Sequence, residues 1–271
     1  MQTGQSLLQL CGLPRLEGRM LLEFVLQKPR EWLLAHETDP LTPEISAQFL
    51  TLAAQRRQGV PMAHLIGWRE FMGHRFEVNA AVLIPRPETE LLVEVALVSL
   101  AGLSTPAVLD MGTGSGIVAI SLALARPDAR ITATDVSEEA LAVAQRNAQA
   151  LSARAQWWQG SWFEALPQEA NFNVIVSNPP YIAANDDHLL QGDLRFEPVQ
   201  ALTDGQDGLS ALQVIIQGAG SRLVSGGSLW LEHGYDQAEA VSQLLTLNGF
   251  KTVQTHVDLA NLPRVTGGVW A

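Results

Sequence analysis

The chain has 271 residues, enough for two domains or one large one, and 47% of them are apolar, which is ample for a buried core. Its single cysteine, Cys11, excludes an internal disulfide and fits a reducing compartment. The formal charge is −11, and the whole negative excess lies in residues 81–271, because residues 1–80 carry equal numbers of basic and acidic side chains. A protein that grips duplex nucleic acid normally presents a basic stripe, so this balance disfavours that class of partner.

The amino-terminal part predicts helices. Arg15 to Leu26 has apolar residues at helical spacing, and Thr42-Pro43-Glu44 provides an N-cap, a proline at the first helical position and an acid in the first turn. We therefore expect a small helical domain over residues 1–72. The next stretch loses helical periodicity and Arg75 to Ile84 looks extended, so we expect a β-hairpin linker over residues 73–85.

Residues 86–271 predict an α/β domain in which short strands alternate with helices. The segment Ile84 to Glu90 (IPRPETE) precedes a helix that runs to about Leu100, and capping of that helix by its acids is one explanation for them. Apolar, β-branched runs indicate the strands that follow: 107–110, 129–134, 155–159, 172–177, 228–232, 251–257 and 264–270. Residues 182–209 lack clear periodicity and predict a substrate-binding loop.

A glycine cluster, Asp110 to Gly116 (DMGTGSG), follows the first of these strands and opens a helix. Clustered glycines let a backbone approach a nucleotide-like cofactor closely. The dinucleotide fingerprint would need a glycine at position 117, where this chain has Ile117. With an acid two residues before its first glycine, the cluster instead resembles the first motif of class I methyltransferases, in which the acid lies near the methionine portion of the cofactor.

Two further positions follow strand ends in the same region. Asp135 ends the second strand, where an acid can accept both ribose hydroxyls; the alternative is that Asp135 or Ser137 caps the next helix. Trp162 lies in the loop after the third strand and offers a stacking face for adenine, although a tryptophan there can equally be part of the core.

The tetrapeptide Asn178 to Tyr181 (NPPY) follows the buried strand Phe172 to Ser177. Pro179 and Pro180 stiffen the loop and remove two N–H donors. The Asn178 side-chain oxygen and a nearby backbone carbonyl can then each accept one hydrogen from an –NH2 group while Tyr181 stacks on its π-face. The alternative is a proline-rich turn whose asparagine caps its own backbone. The tetrapeptide resembles the signature of amino-methyltransferases, which use S-adenosylmethionine.

Over essentially its whole length the chain resembles the family of protein-(glutamine-N5) methyltransferases that modify peptide chain release factors, the HemK or PrmC family. The segments that carry this resemblance are Pro61 to Gly67 with Arg69-Glu70-Phe71, Ile84 to Glu90, Asn178 to Tyr181, Phe196-Glu197-Pro198 with Ala201-Leu202, and Leu231 to Gly234. Departures are small: Met111 stands where a leucine is commoner, and Gly267-Gly268 contains an unusual extra glycine.

The resemblance implies a class I, Rossmann-like methyltransferase domain over residues 86–271, preceded by a helical domain that recognises the substrate. It implies methyl transfer from S-adenosylmethionine to the side-chain amide of the glutamine in the Gly-Gly-Gln motif of class I release factors. Asn178, Pro179 and Tyr181 would be catalytic, and Pro180 would join them in binding substrate. The cofactor-binding residues would be Asp110, Gly112, Thr113, Gly114, Ser115, Gly116, Asp135, Trp162 and Asn178.

Two other functions stay open at this point. A DNA or RNA base methyltransferase would use the same tetrapeptide to grip the exocyclic amine of a flipped base. The second possible function is that of a catalytically silent protein that binds the cofactor and supports another protein. The scattered histidines predict no metal site. Without a basic and apolar leader or a run of about 18 apolar residues, the sequence leads us to expect a cytoplasmic monomer that binds neither membrane nor nucleic acid.

Overall fold

A computed structural model describes residues 2–271, which cluster into two compact units. The first, here called the helical unit, comprises the chain up to Trp68 together with Gln191–Phe196. The second, here called the sheet unit, comprises Arg69–Leu190 and Glu197–Ala271. Among the described residues, every helix is too short or too polar to span a lipid bilayer.

Within its described residues, the helical unit contains five α-helices: α1 (Gly4–Leu10), α2 (Arg15–Leu26), α3 (Arg30–His36), α4 (Pro43–Arg57) and α5 (Met62–Ile66). As predicted, Thr42 caps α4 by accepting a hydrogen bond from the Ile45 N–H at 3.4 Å. Leu21, Phe49 and other apolar side chains of these helices form one buried core. Burial of that shared core, rather than the propensity of any one short helix, holds the unit together.

The predicted domain boundary at residue 72 needs correction, because the helical unit ends at Trp68 and also includes Gln191–Phe196. The sequence pattern instead predicts that this later segment belongs to the methyltransferase domain. An ion pair explains why Gln191–Phe196 belongs to the helical unit. The guanidinium of Arg56 in α4 lies 3.6 Å from the Asp193 carboxylate and also 2.8 Å from that of Glu17. A sequence pattern does not show such a pairing between distant segments.

The β-hairpin also lies earlier than predicted. It consists of β1 (Trp68–Phe71) and β2 (His74–Glu77), not of residues 73–85. Met72 and Gly73 connect the strands with φ angles of 49° and 75°, the signs that a type I′ turn requires. Methionine is an unusual first residue for such a turn, so the residue types at positions 72 and 73 do not predict it. Residues 78–85 form no strand and include a turn, in which the Val82 N–H donates to the Asn79 carbonyl at 3.3 Å.

The sheet unit is built on a seven-stranded sheet in the order β5-β4-β3-β6-β7-β9-β8. Its strands are β3 (Ala107–Met111), β4 (Arg130–Asp135), β5 (Gln156–Gln159), β6 (Phe172–Ser177), β7 (Leu223–Glu232), β8 (Phe250–Val257) and β9 (Pro263–Trp270). The first five pair in parallel, whereas β9 runs antiparallel to both β7 and β8. The predicted α/β, Rossmann-like class is confirmed.

Helices cover both faces of this sheet: α6 (Thr89–Ser99), α7 (Ile117–Ala125), α8 (Glu138–Ala150), α9 (Val199–Leu202), α10 (Ser210–Ala219) and α11 (Ala238–Leu247). Alternate residues of the strands enter two separate cores. Val108 and Val174 pack with α6 and α7, while Leu109 and Ile175 pack with α10 and α11. This alternation explains why the central strands read as continuous apolar runs.

The chain leaves β3 toward β4 on one side, and β6 lies on the other side of β3. The strand order therefore reverses between β3 and β6. In open α/β sheets, ligands bind outside the carboxyl ends of the strands at such a point. Met111 and Ser177 are paired there, and the Ser177 hydroxyl donates to the Met111 carbonyl at 2.7 Å. The loops that follow these two residues carry the predicted site.

The extra glycine noted in the sequence has a structural reason. A Cβ atom at Gly267 in β9 would lie 2.2 Å from both the Leu229 carbonyl oxygen and the Trp230 ring. Trp230 is buried, and its indole N–H donates to the Ser99 hydroxyl at 2.8 Å. Glycine at position 267 therefore makes room for this ring.

Candidate functional site

The glycine loop follows β3 directly and takes backbone conformations that favour glycine. Gly112, Gly114 and Gly116 have φ angles of 67°, 56° and 83°. At Gly116, the N-cap residue of α7, an added Cβ would lie only 3.0 Å from the Ala144 Cβ of α8. The third glycine is therefore also needed for the close packing of α7 on α8.

Asp110 lies at the base of this loop and is 1% exposed. Its Oδ2 atom accepts hydrogen bonds from the Thr113 hydroxyl at 2.6 Å and from the Ala119 N–H at 3.1 Å. Burial raises the pKa of this carboxyl to about 6, although both donors act in the opposite direction. A cation placed beside Asp110 would favour the ionised carboxylate.

Asp135 at the end of β4 faces the same loop. One carboxyl oxygen accepts from the Gly114 N–H at 2.8 Å and the other from the Ser137 N–H at 2.9 Å. Ser137 is the cap of α8, since its hydroxyl accepts from the Ala140 N–H at 3.1 Å. Each oxygen of Asp135 thus has one backbone donor and keeps lone-pair capacity for another. Burial raises the pKa of Asp135 as well.

Trp162 begins a short 3₁₀ helix after β5 and has a positive φ of 44°. Its half-buried ring packs partly against the core on the α10 side of the sheet. The same ring lies 3.8 Å from the place that a Cβ atom would take at Gly112. Trp162 is therefore both a core residue and a wall facing the glycine loop.

The tetrapeptide after β6 places its four residues in different surroundings. The Asn178 Nδ2 group donates to the Thr89 hydroxyl at 3.2 Å. No donor within residues 2–271 reaches the Asn178 Oδ1 atom or the Pro179 carbonyl. Tyr181 packs against the core and points its hydroxyl at Glu232 Oε1, 3.4 Å away; burial raises the pKa of Tyr181 above its usual value.

One cavity brings most of the predicted residues together. Its walls include Asp110, Gly112, Thr113, Gly114, Ser115, Asp135, Trp162, Asn178 and Pro180. Gly116 supports this wall from the start of α7, while Pro179 is buried and Tyr181 packs on the core. Residues from the ends of four strands and the loops after them therefore meet in one place, as parallel strands allow.

Comparison with known proteins identifies the family. The chain is 57% identical to the release factor glutamine methyltransferase of Bordetella pertussis, over 95% of both chains. It is 49% identical to the Burkholderia pseudomallei protein of that name, over 98% of this chain and 95% of the other. The Escherichia coli protein of that name is 45% identical, over 97% and 95%. The chain belongs to the release factor glutamine methyltransferase family.

Family descriptions and solved structures agree with this membership in the release factor glutamine methyltransferase family. The PrmC N-terminal domain matches residues 1–67 and the methyltransferase small domain matches residues 87–194. A methyltransferase from Pyrococcus furiosus is 16% identical and covers 85% of this chain and 100% of its own, with a TM-score of 0.55. The Thermus thermophilus 16S rRNA methyltransferase RsmC has the same TM-score at 23% identity, covering 75% of this chain and 50% of its own. These two likenesses show the fold.

The structure adds cavity residues that sequence reasoning missed. The cavity is also lined by Ala81, Val82 and Leu83, by Thr89, and by Pro198, Gln200 and Ala201. Glu197 joins two of these groups, because its buried carboxylate accepts from the Ile84 N–H at 3.0 Å and pairs with Arg86. Thr89, Arg86 and Glu197 all lie in segments that resemble the release factor glutamine methyltransferase family. The resemblance was the only sequence signal, and it gave these residues no role.

Proposed function

We propose that this chain methylates the side-chain amide nitrogen of the glutamine in the Gly-Gly-Gln motif of class I peptide chain release factors, using S-adenosylmethionine. The observation that carries the proposal is a pair of free acceptors. The Asn178 side-chain oxygen and the Pro179 carbonyl receive no hydrogen bond from residues 2–271. They match the two hydrogens of a primary amide. The names of the relatives give the same activity.

The glycine-loop side of the cavity suits S-adenosylmethionine, which supplies an electrophilic methyl group on a sulfonium. Asp135 keeps one acceptor site on each oxygen for the two ribose hydroxyls. Asp110 is a buried carboxyl without a cationic partner among its hydrogen bonds, and the ammonium group of the methionine portion would stabilise its ionised form. Trp162 offers its ring as a wall for adenine.

The Asn178 side supplies positioning. An amide nitrogen is a poor nucleophile, because its lone pair is delocalised into the carbonyl. By accepting both amide hydrogens, Asn178 and Pro179 would aim the nitrogen at the methyl group and increase its electron density. Correct placement of reactants is worth several kcal/mol in well-oriented reactions. The nitrogen can lose its extra proton after transfer, so the step needs no general base.

We further propose that the helical unit recognises a part of the release factor away from the glutamine. A small separate unit with its own core, ahead of the methyltransferase domain, supports this role. Crosslinking of the whole chain to a release factor should yield crosslinks to α1 through α5. Crosslinks confined to the sheet unit would contradict the proposal.

We also propose that the protein acts as a cytoplasmic monomer on a protein substrate rather than on nucleic acid. The acidic balance of residues 81–271 supports a substrate other than a phosphate backbone. The buried, unpaired Cys11 is compatible with a reducing compartment. Light scattering of the free enzyme and of its mixture with a release factor should give one copy of this chain in each case.

The decisive experiment supplies methyl-labelled S-adenosylmethionine and a release factor, either intact or with its loop glutamine replaced by alanine, followed by mass mapping. Label on the intact factor alone, at that glutamine, is the expected result. A parallel reaction with nucleic acid as the acceptor tests the base methyltransferase alternative. Label on nucleic acid with none on either factor would replace our proposal with that alternative.

A further inference from the structure

Behind Asn178 lies a buried polar cluster that the reaction described so far does not use. Thr89 at the start of α6 and Glu232 at the end of β7 are each 1% exposed. The Thr89 hydroxyl accepts from Asn178 Nδ2 at 3.2 Å. Thr89 also lowers the pKa of the nearby Glu232 carboxyl, whose buried Oε2 atom has no hydrogen-bond partner among residues 2–271. Tyr181 donates to Glu232 Oε1 at 3.4 Å. Three distant segments thus meet behind one amide.

We propose that Thr89 and Glu232 are positioning residues, which hold the Asn178 amide with its nitrogen toward Thr89 and its oxygen toward the substrate. This inference rests on the proposed function and assigns the groups that prepare Asn178 for it. Neither residue touches the reacting atoms, so both act through Asn178.

The orientation of Asn178 matters because the two ends of an amide are opposite in hydrogen bonding. With its oxygen toward the substrate, Asn178 accepts a hydrogen from the glutamine amide. With its nitrogen there, two donor groups would face each other and the glutamine would not be held. An asparagine can adopt either orientation with little change in shape, so a neighbouring group must select one.

A threonine hydroxyl alone cannot make this selection, because it both donates and accepts. An ionised carboxylate only accepts hydrogen bonds. If Glu232 is ionised, its unpartnered Oε2 can accept the Thr89 hydroxyl hydrogen, and Thr89 then presents a lone pair to Asn178 Nδ2. If Glu232 is protonated, it brings a donor of its own, and Thr89 is released to donate to the asparagine oxygen. The charge on Glu232 therefore fixes the direction of the whole hydrogen-bond chain.

The surroundings of Glu232 bring its ionisation near neutral pH. Burial raises the pKa of Glu232 to about 7, and the charge of Glu88 acts in the same direction. Arg264 on β9 and the Tyr181 hydroxyl lower it, as Thr89 does. The adjacent His233 has a pKa lowered by burial, so it adds no positive charge at neutral pH. The competent orientation of Asn178 should accordingly gain population as the pH rises through about 7.

The first test observes Asn178 directly and does not need a release factor. In ¹⁵N-labelled protein, the Asn178 side-chain NH2 signals, assigned by their loss in Asn178→Ala, should shift with a midpoint near pH 7. In Glu232→Gln, which keeps the size and the polar character of the side chain, that shift should disappear. The same titration in both proteins would overturn the inference.

The second test uses methyl transfer. Thr89→Val keeps the shape of the side chain and removes the hydroxyl, and should lower kcat by about 10- to 100-fold with little change in the KM for the cofactor. Thr89→Ser restores a hydroxyl and should recover most of the loss. The acid limb of the kcat profile should vanish in Glu232→Gln and persist in Glu169→Gln, which changes an exposed carboxyl.

Unchanged kcat in Thr89→Val, or an acid limb retained in Glu232→Gln, would contradict the positioning role. If Thr89→Val is unfolded by circular dichroism, the serine and glutamine variants decide the matter. If the proposed function itself is wrong, the unsubstituted enzyme will not label a release factor at all. In that case the Asn178 titration still tests whether Glu232 controls the amide.

Discussion

The two sides of the cavity are built in different ways. On the cofactor side, Asp110 and Asp135 receive backbone N–H groups from the same β-α-β segment, which fix both carboxylates locally. On the amide side, residues from distant segments meet through their side chains, since Asn178 donates to Thr89 and Tyr181 donates to Glu232. Backbone donors remain when neighbouring side chains are replaced. A series of contacts between side chains is broken when any one of those side chains is replaced. The cofactor side should therefore tolerate substitution better than the amide side.

The strongest way to separate the two sides is Asn178→Ala. It removes the acceptor for one amide hydrogen and should lower methyl transfer by about 100- to 1,000-fold. Cofactor affinity, measured by calorimetry, should stay within about 3-fold, because the contacts of the glycine loop are kept. Asn171→Ala, at an exposed position before β6, is the matched control and should keep full activity. An equal loss of cofactor binding in Asn178→Ala would show that the sides are not separable.

The reverse result is expected for Asp135→Ala. This change removes the acceptor of two backbone N–H groups and the proposed ribose contacts, so the cofactor Kd should rise by about 10- to 100-fold. At saturating cofactor, kcat should change by no more than about 3-fold. Asp39→Ala, an exposed carboxyl of the helical unit, serves as the control in calorimetry. A large fall in kcat at saturation would argue against the comparison.

Gly116→Ala tests how far the cofactor side depends on close packing. The new Cβ would lie 2.9 Å from Ile120 Cδ1 and 3.0 Å from Ala144 Cβ, at a φ of 83°. We expect the free energy of unfolding in urea to fall by about 2 kcal/mol. Gly102→Ala has a similar φ of 76° and no heavy atom within 4 Å, so it should cost about 1 kcal/mol. Equal losses would mean that packing on α8 contributes nothing.

The smallest expected effect concerns Asp110 and pH. Its pKa in the free protein is raised to about 6, so at lower pH the carboxyl is protonated and must lose that proton to pair with the cofactor's ammonium group. The affinity for the cofactor should therefore reach its full value near neutral pH, fall about 2-fold by pH 6, and fall further at lower pH. Asp110→Asn should bind more weakly at all pH values and lack this dependence. A pH dependence that persists in the asparagine variant would assign it to another group.

Local patterns were sufficient for the cofactor side. The bounds of β3 and β4 agree with the predicted ranges to within one residue at each end, because the apolar pattern within each segment determines them. The spacing from the glycine loop to Asp135 belongs to a single β-α-β unit, so the sequence alone predicted that these residues would meet. Their common cavity confirms that they do.

The amide side could be predicted only in part. The tetrapeptide was recognised, but Thr89 and Glu232 reach Asn178 through the placement of α6 and β7, which no local pattern gives. Thr89 looked like part of a helix start, and Glu232 looked like the last residue of a strand. The type I′ turn at Met72-Gly73 was missed for a related reason, since its methionine does not favour the conformation that it adopts.

The inclusion of Gln191–Phe196 in the helical unit has a consequence for the order of folding on the ribosome. Synthesis proceeds from the amino terminus, and domains generally fold as they emerge. Helices α1 to α5 emerge early, yet Arg56 cannot pair with Asp193 until the chain has been made past that residue. By then most of the sheet strands have emerged as well. Helices α1 to α5 are thus synthesised before the strands of the large sheet, but the helical unit is completed only after β6 has been made.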